Sequence, residues 1–332
     1  MYKDILQYLK KRISALKDET RSENEKQAIK TGLQKTVIAL FRFVIIVGIS
    51  YLILAPIIGI LVSSFFSNAD AYNPMVYLFA KEPTLDRYRL VIERMDYLPT
   101  ILKTLFYSLS LTGIQILVCS MVGYGFARFD FPLKKILFAC VVVMIVIPMH
   151  TIMLPLYMTF KNFDPMGLMS LFQGEPISLM GTPMPMYLMS IFGCGLRSGL
   201  FIYIFNQFFR GLPKEIEEAA FMDGAGPWYT YFRIMLRSAT PSVITVAVFS
   251  MVWQYNDTFY AKLFLIDPDM VISKKIATLP ANIANVDKIL DVQIQNLYLD
   301  AGIVLIMVPI IIIYVVLQKY FIEGVERSGI VG

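Results

Sequence analysis

The sequence predicts an all-α polytopic membrane protein of about six transmembrane helices, and three observations carry that prediction. Of its 332 residues, 57% are hydrophobic and only 17% charged, with a mean hydropathy of +0.61. An average soluble domain is about 25% charged, so lipid is the solvent this composition suits. Apolar runs long enough to cross a hydrocarbon core, which takes about 20 residues, recur near residues 38–66, 99–125, 136–160, 186–208, 242–266 and 299–320. Lys and Arg gather mainly between those runs, as membrane topology requires, so the formal charge of +5 does not point to nucleic acid.

Residues 1–36 form a polar, cytoplasmic tail with nine Lys or Arg against five Asp or Glu. A cleavable signal would place a short apolar core near residue 10. The first long apolar run instead begins near Ile38, so it is expected to stay as the first span, and residues 37–332 form the transmembrane domain. Ile5, Leu9, Ile13 and Leu16 recur near helical spacing among basic residues. That pattern fits an amphipathic helix on an anionic inner leaflet, and equally a solvated helical tail.

Backbone polar groups find no partner in lipid, so each run is helical. An even number of crossings puts both termini on one side. Placing them in the cytoplasm gives 17 Lys or Arg inside against 8 outside, the N-in/C-in orientation, with most of the margin coming from the tail. The outer loops 67–97, 161–185 and 267–298 hold Pro, Asp and Tyr, including the amphipathic stretch Leu85–Leu98. They have the length for interfacial helices facing an outer partner. Cys119, Cys140 and Cys194 all lie in apolar runs and read as packing residues rather than a disulfide framework. His150, beside Pro148, has no carboxylate or thiol at ligand spacing, so no metal is expected. Met144, Met149, Met153 and Met158 read as adaptable packing.

The most informative segment joins the fourth and fifth runs, residues 209–241. Pro213 fits a first helical position, and Glu215, Glu217 and Glu218 complement the positive end of a helix dipole. Gly224 and Gly226 end that helix, and Pro227 opens a second one carrying Tyr231, Ile234 and Leu236. Ile216, Ala219 and Ala220 share a face at helical spacing. The two small alanines leave room for another protein's backbone, as a helix docking into a groove requires.

Glu218-Ala219-Ala220, Gly224, Ile234 and Leu236 stand at the spacing of the EAA loop, and here the chain resembles the permease subunits of ABC importers. Arg237 replaces the proline that closes the family pattern, although Pro241 matches a second proline often found a few residues on. The proline-made bend into the fifth span is therefore in question. The likeness covers most of residues 84–332. Thr84-Leu85-Asp86, Gly123-Tyr124-Gly125-Phe126-Ala127-Arg128, Phe131-Pro132, Leu154-Pro155-Leu156-Tyr157, Asn206-Gln207-Phe208-Phe209 and Asn256-Asp257 look like the carbohydrate-uptake branch, the MalG-type binding-protein-dependent permeases. Gly123 and Gly125 replace alanines common there.

The resemblance implies a type I ABC importer permease fold in a bacterial cytoplasmic membrane, and transport of a carbohydrate, most naturally an oligosaccharide. It also implies a second, different permease, two ATPase subunits that bind ATP and Mg, and an external solute-binding protein. No cofactor is expected in this chain. Glu218, Ala219, Ala220, Asp223 and Gly224 are the expected ATPase-coupling residues, with Asp223 capping or pairing within the loop. No Gly-x-x-x-x-Gly-Lys-Ser/Thr segment is present, so ATP hydrolysis is expected in a separate chain. For the substrate path, Trp253, Asn256, Asp257 and Tyr260 fall near one face of a single expected helix; packing aromatics fit that spacing too. Arg197 reads either as an outer-gate contact or as a side chain snorkelling to the interface. Two other readings compete: the same machinery carrying a peptide, amino acid or ion, and a scaffold that binds a partner without transport.

Overall fold

Three of the six apolar runs fold as unbroken helices and three are interrupted, in a computed structural model that describes residues 23–76 and 79–329. Helix α1 (Glu23–Ser63) starts well before the apolar run, because nothing between Glu23 and Pro56 breaks it. The Ile5 to Leu16 pattern lies outside the described residues. The chain divides into two compact units, one holding the sequence through Val62 with Phe79, and one holding Ser63–Val76 and everything from Ala80. In the first unit, α1 leaves its apolar side chains from Val37 to Leu61 largely exposed, as a lipid-facing helix does.

The second unit opens with α2 (Asn68–Ala71), held by a reciprocal capping box between Ser67 and Asp70, and α3 (Asp86–Arg94). Helix α4 (Tyr97–Arg128) is long, apolar and unbroken. The third expected span stops at Val146, the end of α5 (Lys134–Val146). Ile147, which precedes Pro148, is extended, as a residue before proline must be. A short 3₁₀ turn, Met149–Ile152, leads into α6 (Met153–Lys161), bent 104° from α5.

The loop beyond α6 carries α7 (Leu168–Gln173). It is closed at its stem by a single antiparallel bridge between Phe163 and Ile177. Asp164 accepts from the backbone of Met169 and Ser170 and from the Ser170 hydroxyl, which holds its carboxyl below the usual range.

The fourth expected span is two helices, α8 (Met184–Ile191) and α9 (Ser198–Gly211). Between them Gly193 and Arg197 take left-handed backbone angles, which no helix continues through. The loop helix α10 (Glu215–Met222) and α11 (Pro227–Ser238) follow. Next come α12 (Thr240–Asn256), α13 (Phe259–Leu263), α14 (Ile272–Val286) and α15 (Val292–Gly329). Among the described residues α1, α4 and α15 are long and apolar enough to cross a membrane unbroken, and counting each bent pair, α5/α6 and α11/α12, as one span brings the number up to five, against the six expected. The all-helical polytopic architecture stands; what the apolar runs concealed is where they break.

Helix α4 is the axis of the second unit, packed most extensively on α9 and then on α12, while α12 packs on α15. Gly123 lets α4 and α9 touch backbone to backbone, since a Cβ there would meet Ile202 O and Asn206 N at 3.0 Å. Farther along, Gln115 is fully buried and ties three helices together. Its Nε2 donates to Leu196 O at 2.8 Å and Ser198 Oγ at 3.1 Å, and its Oε1 accepts from Ser250 Oγ at 2.6 Å and Gln254 Nε2 at 3.3 Å. Such interhelical bonds are worth about 0.6 kcal/mol each on average, up to about 2. Elsewhere in this unit, the Arg94 guanidinium holds Asp287 through Nε to both carboxylate oxygens and Nη2 to Oδ1 at 2.6 Å. That contact clasps α3 to the turn between α14 and α15.

Candidate coupling site and translocation path

Lys214 occupies the N-cap position of α10, so Pro213 lies two residues before the helix rather than in its first turn. Glu215, Glu217 and Glu218 occupy the first turn, where their charge favours the unpaired N–H groups. The helix ends in a Schellman motif. Ala225 N donates to Ala220 O at 3.0 Å and Gly224 N to Phe221 O at 3.0 Å, with Gly224 at φ +83°. Asp223 sits at the C-cap and donates its own N–H to Ala219 O at 3.0 Å.

The structure divides the five expected coupling residues between two faces. Glu218, Ala219, Asp223 and Gly224 are exposed, beside Phe221 and Met222. Ala220 turns inward and is 5% exposed, and Ile216 packs on the buried cluster of Phe205, Phe209 and Tyr231. The common face expected for Ile216, Ala219 and Ala220 is therefore split: Ile216 and Ala220 seat the helix on this chain, and Ala219 remains outside.

One residue of the first turn, expected only to complement the helix dipole, is buried. Glu217 lies under α10, and its Oε2 is 3.1 Å from Nε of Arg128, the last residue of α4. Their side chains are 11% and 5% exposed. The signal in the sequence was Arg128 ending an apolar run and Glu217 among the acidic residues beside the motif; helical spacing alone does not pair them.

Helix α11 is π-helical over Thr230–Met235, with Leu236 N bonded to Tyr231 O. Ser120 and Tyr231 share a hydrogen bond at 2.6 Å, and the Tyr124 ring packs against Tyr231, Phe209 and Phe129. A small apolar pocket of about 150 Å³ lies between Met121, Tyr124, Phe129, Trp228 and Tyr231. The bend into α12 is 76° and falls at Ala239, without a proline at Arg237. Pro241 stands in the first turn of α12, so the second proline and the Ala239 break suffice for the bend.

The expected path residues do not share one helix. Helix α12 ends at Asn256, Asp257 is extended, and Tyr260 belongs to α13. Asp257 instead caps α13, its carboxylate accepting from Tyr260 N at 3.3 Å and Ala261 N at 3.1 Å. Trp253 is half-buried in a stack with Phe201 and Phe249, and the Arg197 guanidinium lies 5.5 Å from its ring centre. Asn256 is exposed, with Nδ2 donating to Val252 O at 3.0 Å, and Tyr260 is buried against Phe264. Trp253 and Asn256 thus stay on one helix end, while Asp257 and Tyr260 are built into the next. His150 stacks flat on Phe259.

Long apolar helices, broken helices beside them and a polar helix–turn–helix define an all-α polytopic membrane protein. Residues 115–327 match the family described as "Binding-protein-dependent transport system inner membrane component", and the chain belongs to that family. It is similar to a "Probable ABC transporter permease protein" of Pyrococcus horikoshii, 28% identical over 84% of this chain and 92% of that one. It is also similar to the arabinooligosaccharides transport system permease protein AraQ of Halalkalibacterium halodurans, 27% identical over 86% of this chain and 93% of that one. Among solved structures, a bacterial ABC transporter involved in the import of the acidic polysaccharide alginate shares the fold. Its TM-score is 0.69 at 18% identity, over 87% of this chain and 98% of that chain. The fold is that of an ABC importer permease.

Proposed function

We propose that this chain is one permease subunit of an ATP-driven carbohydrate importer, forming half of the translocation path for an oligosaccharide. The observation that carries the reading is α10, which bears Glu218, Ala219, Asp223 and Gly224 outward on a helix seated by Ala220 and Ile216. A short helix rigidly held between two spans is suited to passing on a rigid-body movement. In this reading α10 docks on an ATPase subunit and converts ATP-driven closure into alternating access. ATP and Mg are bound by two such subunits, while a second, different permease completes the path and a solute-binding protein delivers the sugar. Both termini lie on the cytoplasmic side of a bacterial cytoplasmic membrane. The carbohydrate class is supported by the arabinooligosaccharide relative, and the exposed Asn256 beside Trp253 supplies an amide for a sugar at the end of α12.

The test is reconstitution of the assembled complex in proteoliposomes with ATP inside and binding protein outside. Uptake of oligosaccharides is expected, together with a cross-link from Ala219→Cys to the ATPase and a much weaker one from the inward-facing Ala220→Cys. Stimulated ATP hydrolysis without solute movement would place the chain among partner-binding scaffolds instead.

A further inference from the structure

We propose that the buried Arg128–Glu217 pair is a mechanical joint that makes α10 and the long helix α4 move as one body, with Arg128 the positioning residue. The proposal rests on the coupling role given above to α10. One guanidinium grips both the helix and the chain that feeds it. Nε meets Glu217 at 3.1 Å, while Nη2 donates to Leu212 O at 2.9 Å and reaches Pro213 O at 3.5 Å. A planar fork fixes these directions rigidly, which an ammonium on a flexible stem does not.

The pair faces away from the exposed Glu218 and Ala219, so it lies beneath the docking surface rather than in it. The Tyr124 side chain, also on α4, interacts with the same carboxylate, so the contacts that orient Glu217 both come from α4. A buried ion pair is a poor source of net stability, and removing one partner alone is costly because a charge is stranded. What it supplies here is a fixed angle between two helices. The Ser120–Tyr231 bond ties α11 to the same end of α4. Some 20 Å farther along α4, at 1.5 Å per residue, Gln115 meets Gln254 on α12, next to Trp253. Movement of α10 is thereby delivered to the helix end proposed to meet the sugar.

The experiment measures sugar imported per ATP hydrolysed by the complete reconstituted complex. It compares Arg128→Gln, Arg128→Lys and the double variant Arg128→Gln with Glu217→Gln, which strands no charge and retains the fold if the single variant does not. The ratio is expected to fall about tenfold in Arg128→Gln and in the double variant, a change in the range of coupling mutations. Arg128→Lys should be intermediate, and the cross-link from Ala219→Cys to the ATPase should be retained in all three. An unchanged ratio in the double variant overturns the joint, including the case in which uptake and hydrolysis fall in parallel, as a purely structural role predicts. Absence of the Ala219→Cys cross-link in the otherwise unchanged protein overturns the coupling role of α10 itself, and the joint with it.

Discussion

Gly123 of α4 lies so close to Phe205 of α9 that a Cβ on the glycine would stand 2.7 Å from the Phe205 Cβ. The resulting prediction contrasts two glycines of one turn. Gly123→Ala should lower stability by about 1–3 kcal/mol, the usual cost of overpacking a tight contact. Gly125→Ala meets nothing within 4 Å and should be neutral or stabilising by up to about 1 kcal/mol through helix propensity. Thermal unfolding of the purified complex in detergent distinguishes them.

At the end of α10, Gly224 is left-handed while Gly226 is not. Gly224→Ala has open space around its new methyl, so its cost is backbone strain, about 1–2 kcal/mol. Hydrogen exchange at the Gly224 and Ala225 amides, which close the Schellman motif, should quicken in Gly224→Ala and stay unchanged in Gly226→Ala.

The Arg94 guanidinium donates to Asp287 and holds its carboxyl below the usual carboxylate range. A carboxylate pKa lower in the folded chain means that the clasp stabilises above the unfolded value, about 4, and is lost as pH falls through the folded value. The melting temperature of the unmodified protein should therefore exceed that of Asp287→Asn at neutral pH. The gap should close only as the pH drops below about 4.

Replacing Gln115 by Leu leaves Leu196 O, Ser198 Oγ, Ser250 Oγ and Gln254 Nε2 without this partner. Stranding buried polar groups costs about 1–3 kcal/mol, so Gln115→Leu should unfold earlier than Gln115→Asn, which keeps an amide at the junction. Thermal unfolding followed by circular dichroism reads the difference.

Much of this was legible because it depends on local chemistry. Apolar runs named the lipid-crossing segments, and Gly224, Gly226 and Pro227 marked the turn of the loop. Helix interruptions were harder to see. Pro148 carried a signal for the 104° bend, whereas the polar residues around the left-handed Arg197 and the extended Asp257 were absorbed into runs that are apolar on average. The orientation of Ala220 and the pairing of Glu217 with Arg128 are tertiary facts. An i, i+3, i+4 count gives the faces of a helix without saying which one the rest of the chain will cover.

The widened turn at Thr230–Met235 sets how this loop responds to changes in length. A π-turn holds one residue more than an α-turn, so it absorbs the loss of one residue: the deletion restores α geometry and leaves Pro227–Tyr229 on their present bearing. The same deletion in a plain α-helical stretch rotates the turns before it by about 100°. Trp228, exposed at the mouth of the small apolar pocket, is thus carried on a segment with one residue to spare.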